Sequence, residues 1–209
     1  MTGTDAATAP RAAAAAPPAA APAQEAAPQE AAPQEAAPRA AAPREAGTER
    51  ADLTAFLAAQ RQAVLAIIDG LGEAELRRAV LPSGWTPLGL IEHLGHAERF
   101  WFQYVLTGEL SELPWPEPGT DGEDAPFSSE HQVDAVLAFY RDQCARSDAA
   151  LAAARLDAAP RREIPPWMPA DTHNVRTIVL HMIEETARHA GHLDAVRELI
   201  DGRTGLGPR

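Results

Sequence analysis

The chain contains no lysine: all 18 of its strongly basic residues are arginine. Set against 30 acidic residues, they leave a formal net charge of -12. Nucleic acid and anionic lipid both demand a basic surface, so neither is an expected partner. Cysteine is nearly missing too. Cys144 stands alone, which excludes an internal disulfide and suits a reducing cytoplasm. No apolar run approaches the roughly 20 residues that span a bilayer. The first residues show no basic region followed by a leucine-rich core, the mark of a secretory signal. The expected location is the cytoplasm. No stretch alternates apolar and polar residues as a half-buried strand does.

Apolar residues make up 45% of the 209, enough to build one core. Residues 1–48 stand apart in composition. They are Ala, Pro, Gln, Glu and a few Arg, with QEAAP repeated in tandem at 24–28, 29–33 and 34–38. Proline every fifth residue breaks a helix, and alanine alone builds no core. This segment reads as a disordered or semi-extended tail, and 49–209 as the folded domain.

Four helices are expected in that domain. The first runs from about 50 to 71 on Leu53, Phe56, Leu57, Val64, Ile67, Ile68 and Leu71, at steps of three and four. The second covers 87–106, with Thr86 as N-cap and Pro87 at the first helical position. Its apolar face carries Leu90, Leu94, Ala97, Trp101 and Tyr104. On the same rotation His93 turns inward and His96 turns to the polar side. A long acidic connection over 107–129 holds Trp115 and Phe127 and reads as a lid or an irregular link. The third helix spans 130–154; Cys144 sits in its stripe as a small core residue. A proline-rich connection follows, where Trp167 and Met168 could line a pocket mouth or simply pack against the core. The fourth covers 174–200 and stops at Gly202. Two longish connections and four amphipathic helices indicate an all-α four-helix bundle.

The fourth helix carries the chemistry. Ile178, Met182, Val196 and Ile200 mark its apolar face, and Glu185 and His189 project within roughly 50° of the middle of it. Residues four apart lie one turn over the other. A buried carboxylate needs compensation, which a metal ion, a buried Glu–His hydrogen bond or a solvated edge would each provide. His181 and His192 flank the pair at the edge of the face, with His192 the reserve ligand. In a bundle, His93 would meet Glu185 and His189. Arg161, Arg162 and Arg176 gather near the start of this helix, as solvated surface arginines by default and as the candidates to bind an anion.

The segments GWTPLGLIEHLGHAERFWF and LHMIEETARHAGHLDAVRELIDGRTG resemble the DinB-like superfamily, in its actinobacterial mini-circle-protein branch of unknown function. The resemblance covers about 50–205 and leaves the tail out. It implies a four-helix bundle holding a divalent metal, zinc by preference with nickel as the alternative, on His93, Glu185 and His189. Many relatives have His where this chain has Glu185; the mycothiol-dependent maleylpyruvate isomerases are similar in having Glu. The resemblance further implies an open coordination position for a small-molecule thiol. GC-rich composition favours mycothiol, with an electrophile as second substrate. His192 or His181 would then shuttle the proton or support a ligand, Arg176 would help hold the cofactor, and a homodimer is expected. Two other classes compete. One is a non-catalytic, stress-related or regulatory metal-binding bundle. The other is an interaction protein whose working part is the tail.

Overall fold

Alanine and straight-chain residues are frequent in the longer described segments, and these form the helices. The structure, a computed structural model, describes residues 43–115, 127–166, 168 and 173–205. Most of the expected tail, residues 1–42, and Trp167 lie outside these. Among the described residues there is no strand. The elements are α1 (Pro43–Ile68), a single turn α2 (Glu73–Leu76), α3 (Pro87–Glu98), a π-helical continuation of α3 (Arg99–Thr107), α4 (Val133–Ala153) and α5 (Val175–Asp201).

The caps follow the sequence. The Thr86 hydroxyl accepts from the Gly89 N–H at 3.1 Å, and the Asn174 side chain accepts from the Thr177 N–H at 3.1 Å. Gly202, at φ 78°, ends α5 in the left-handed conformation. The start of α1 differs from expectation. Residues 43–48, assigned by composition to the tail, are its first turns. Helix α1 also tempers the reading that no segment reaches spanning length. Residues 47–68 are long and apolar enough to cross a membrane by length and composition, with only 22% of that window buried. The alanines that build the helix also raise its hydropathy.

Contacts fix the directions of the four long helices. Arg50 of α1 donates to the Leu151 and Ala154 carbonyls at the end of α4, and Arg61 pairs with Glu98 at the end of α3. Glu49 pairs with Arg176 at the start of α5, and Arg197 near the end of α5 donates to Ile67 and Asp69 at the end of α1. Hence α1 and α5 run in one direction, and α3 and α4 run in the other. Two parallel neighbours need a connection that travels back along the bundle, which is why residues 108–132 are so many.

The core has two apolar layers. One gathers Leu57, Trp101, Phe102, Val105, Leu151, Ile178 and Met182. The other gathers Val64, Leu90, Ile91, Leu94, Val136, Tyr140 and Leu193. Buried polar residues fall between them in helical register: Arg61, Glu98, Ser147, Thr186 and His189. The Arg61 guanidinium meets both Glu98 oxygens at 2.7 Å and Asp148 at 2.6 Å. Burial alone would lower the Arg61 pKa, but the Glu98 carboxylate outweighs it and holds the guanidinium charged.

Two aromatic positions depart from the periodic reading. Phe56 is 63% exposed, although it falls on the apolar spacing of α1. Tyr104, expected inside, is 37% exposed, while Phe102 is fully buried. The π-helical turn explains the second case. Its i→i+5 bonds take more residues per turn than an α-helix, so the face that points inward shifts along the sequence. Met168 is buried in the core rather than at a pocket mouth. Cys144 packs against the second layer as expected. Burial, then the nearby Glu98 charge, push its thiol up to about 12, so it stays protonated.

Candidate metal centre

Helices α3 and α5 pack against each other. His93 comes from the second turn of α3, and Glu185 and His189 from successive turns of α5. One carboxylate oxygen serves both imidazoles: Glu185 Oε1 lies 2.9 Å from His189 Nε2 and 3.2 Å from His93 Nε2. Each Nε2–H donates and the carboxylate accepts. One candidate donor atom from each residue lies within 4.8 Å of the other two. Side-chain exposure falls from 29% at His93 through 19% at Glu185 to 10% at His189. The cluster therefore opens on the α3 side and is dry beneath.

The hydrogen bond from His189, then that from His93, hold the Glu185 carboxyl far below the usual carboxylate range, against the opposing effect of burial. The group is a carboxylate at any ordinary pH. Two nitrogens and one anionic oxygen make a donor set that suits zinc, nickel and related divalent ions. The three residues fit such an ion by chemistry and by proximity. The second nitrogen of His189, Nδ1, faces His192 Nδ1 at 3.5 Å.

Phe127 is the neighbour that the sequence did not tie to this place. Its ring stacks on His93 at 4.0 Å between centroids and 14° between planes. The backbone explains how it stays there. The Thr86 N–H donates to the Phe127 carbonyl at 2.9 Å. A Cβ placed on Gly89 would meet that same carbonyl at 2.4 Å, so only glycine lets the chain pass so near α3. A signal was present in the sequence only as an aromatic at the end of a long loop.

The other candidates are placed as follows. His192 is exposed, with Trp85 6.3 Å away ring to ring. His181 lies one turn before Glu185 and packs edge-on against Trp101 at 4.6 Å. Burial lowers its pKa and keeps it largely neutral; the Glu185 charge opposes this only in part. Arg176 does not join the cluster. It forms a two-pronged ion pair with Glu49 of α1, nine residues and about 14 Å along α5 from Glu185. Arg161 and Arg162 are exposed near the end of the π-helical segment, Arg162 above the Tyr104 ring at 5.2 Å. His96, expected on the polar side, instead faces α4, 5.0 Å from the Phe139 ring. A groove of about 380 Å³ between α1 and α5 is lined by Ala63, Ala187, Gly191 and Arg197. None of the three donors borders it.

Comparison with known proteins agrees with the helical architecture. A family model described as mycothiol-S-transferase matches residues 52–202. The crystal structure of a conserved protein from Enterococcus faecalis is similar in fold, with a TM-score of 0.55 at 13% identity. The alignment covers 73% of this chain and 97% of that one. No curated protein matches the chain.

Proposed function

The chain belongs to the mycothiol-S-transferase family, and from that premise we propose that it is a metal-dependent enzyme joining a mycothiol-like thiol to an electrophilic small molecule. The observation that carries the reading is the convergence of His93, Glu185 and His189 from two helices on one largely buried point. These three would hold the ion, zinc by preference and nickel as the alternative. Three protein ligands leave a position open. Bound there, a divalent ion would supply the Lewis acidity that favours a thiolate over a thiol near neutral pH.

The chain's own residues supply the rest. Glu185 contributes the negative charge that keeps the ion in place. Phe127 stacks on His93 and would fix the plane of its ring. His192 is the exposed base beside the site, suited to take the thiol proton to solvent. His181, neutral and half-buried, supports Glu185 from the turn below. In the transfer, a sulfur–carbon bond forms as the bond from that carbon to its leaving group breaks. Arg176 has no part in this reading, since Glu49 already occupies its guanidinium. The mini-circle branch of the DinB-like superfamily is carried with the proposal, on the strength of the closing helix sequence. So are a cytoplasmic location and a homodimer.

The test compares wild type with His189→Ala. Metal is measured by mass spectrometry, and thioether formation is followed with mycothiol and an alkylating electrophile. Wild type should form the thioether, and the variant should lose one bound ion and the activity together. A variant that keeps both would end the proposal.

A further inference from the structure

Helices α1 and α5 turn one face outward together, and that face holds two unlike features. At one end two large apolar side chains stand in water, Phe56 of α1 at 63% exposure and Leu180 of α5 at 51%. At the other end lies the groove of about 380 Å³, walled by Gln60, Ala63 and Ile67 of α1 and by Ala187 and Asp194 of α5. Helical rotation gives both features one direction. Phe56, Gln60, Ala63 and Ile67 follow at steps of four, three and four, so Phe56 projects within about 40° of the three groove residues. Leu180, Ala187 and Asp194 follow at steps of seven and also lie within about 40° of one another.

The ends of the face differ in charge as well. Thr204 and Gly205 close the far end of the groove by bonding to the Asp194 carboxylate, and Arg203 lines it there. Asp52, one turn before Phe56, is exposed at the opposite end. Glu184 and Arg188 pair with each other on the flank.

We infer that this face binds a second copy of the chain, packed about a two-fold axis with the two α1 helices antiparallel. The face carries both a projecting ring and a hollow, and a copy of itself satisfies both at once. An axis crossing α1 beside Gln60 sets Phe56 of each copy opposite the partner's Ala63, seven residues or about 10 Å along the helix. Each ring then enters the other's groove. An apolar cavity of about 150 Å³ holds benzene, so the groove has room for the ring. The same register sets Asp52 opposite the partner's Ile67 and turns its carboxylate toward the partner's Arg203, twice by symmetry. The face is two helices wide and about four turns long, small among stable interfaces. The expected dissociation constant is therefore on the order of 10 μM. The inference gives the expected homodimer a definite face and does not rest on the proposed transferase activity.

The experiment is sedimentation equilibrium of the full chain from the micromolar to the submillimolar range. Wild type should pass from monomer to dimer. Phe56→Ser should weaken association by on the order of 100-fold, as loss of a central aromatic anchor does, with its helicity unchanged. A second variant works without removing the ring. Gln60→Cys sits at the axis and should form a disulfide-linked dimer under mild oxidation, whereas Arg146→Cys on α4 should not. A wild type that stays monomeric throughout would overturn the inference. So would a dimer that survives Phe56→Ser, or one that crosslinks through Arg146→Cys and not through Gln60→Cys. His189→Ala should dimerise as wild type does, so failure of the metal centre and failure of this interface are read separately.

Discussion

A single oxygen atom, Glu185 Oε1, accepts hydrogen bonds from imidazoles on two helices, and this makes Glu185 pH-sensitive in a known direction. Its pKa is depressed in the folded protein from an ordinary value of 4.5. The unfolded chain therefore binds its proton first as the pH falls. The stability contributed by Glu185 is present above about pH 5, is lost progressively below it, and is gone once the folded group protonates. Urea midpoints of chelated protein between pH 6 and pH 3 should fall more steeply for wild type than for Glu185→Gln. Equal slopes would refute the assignment. The residues of this cluster were legible in the sequence because helical spacing alone put Glu185 and His189 inside an apolar stripe. Phe127 was not, since it lies in a connection without periodicity. His96 was misread because α4 covers the side of α3 that looked polar.

At the level of the element, two glycines separate packing from propensity. Gly89 in α3 touches the Phe127–Ser128 backbone, and backbone cannot move aside cheaply. Gly89→Ala should cost about 1–3 kcal/mol, the usual penalty of overpacking. Gly191 lies mid-helix in α5 with nothing within 4 Å of an added Cβ. There Gly191→Ala should stabilise by about 1 kcal/mol through helix propensity alone. Denaturant unfolding reads both, and effects of the same sign would contradict the distinction. The helices themselves were legible from spacing and caps, to within a few residues at most ends. The π-helical turn was not. A single extra residue per turn leaves no local signature, yet it decides that Phe102 rather than Tyr104 enters the core.

For the molecule as a whole, the Arg61–Glu98 pair between the two apolar layers joins α1 to α3, and Asp148 extends the link to α4. Replacing Arg61 with Ala would leave the Glu98 charge buried and unpaired, at a cost of about 3–5 kcal/mol. Arg61→Met with Glu98→Met should recover much of the loss, because the desolvation of two ions then disappears. Equilibrium unfolding of the single and double variants checks this, and an Arg61→Ala loss below about 1 kcal/mol would show that the pair is solvated. The bundle was legible from four amphipathic stretches and two long connections. The order of directions was not, because sequence patterns record which face is apolar and not which neighbour covers it. That order has a consequence for the cluster on α3 and α5. The long connection between α3 and α4 divides the chain so that His93 falls on one side and Glu185 with His189 on the other. A chain cut in that connection becomes two fragments, neither of which owns a complete ligand set. A divalent ion would then act as the glue of a complementation pair, and reassembly of the halves would report its presence.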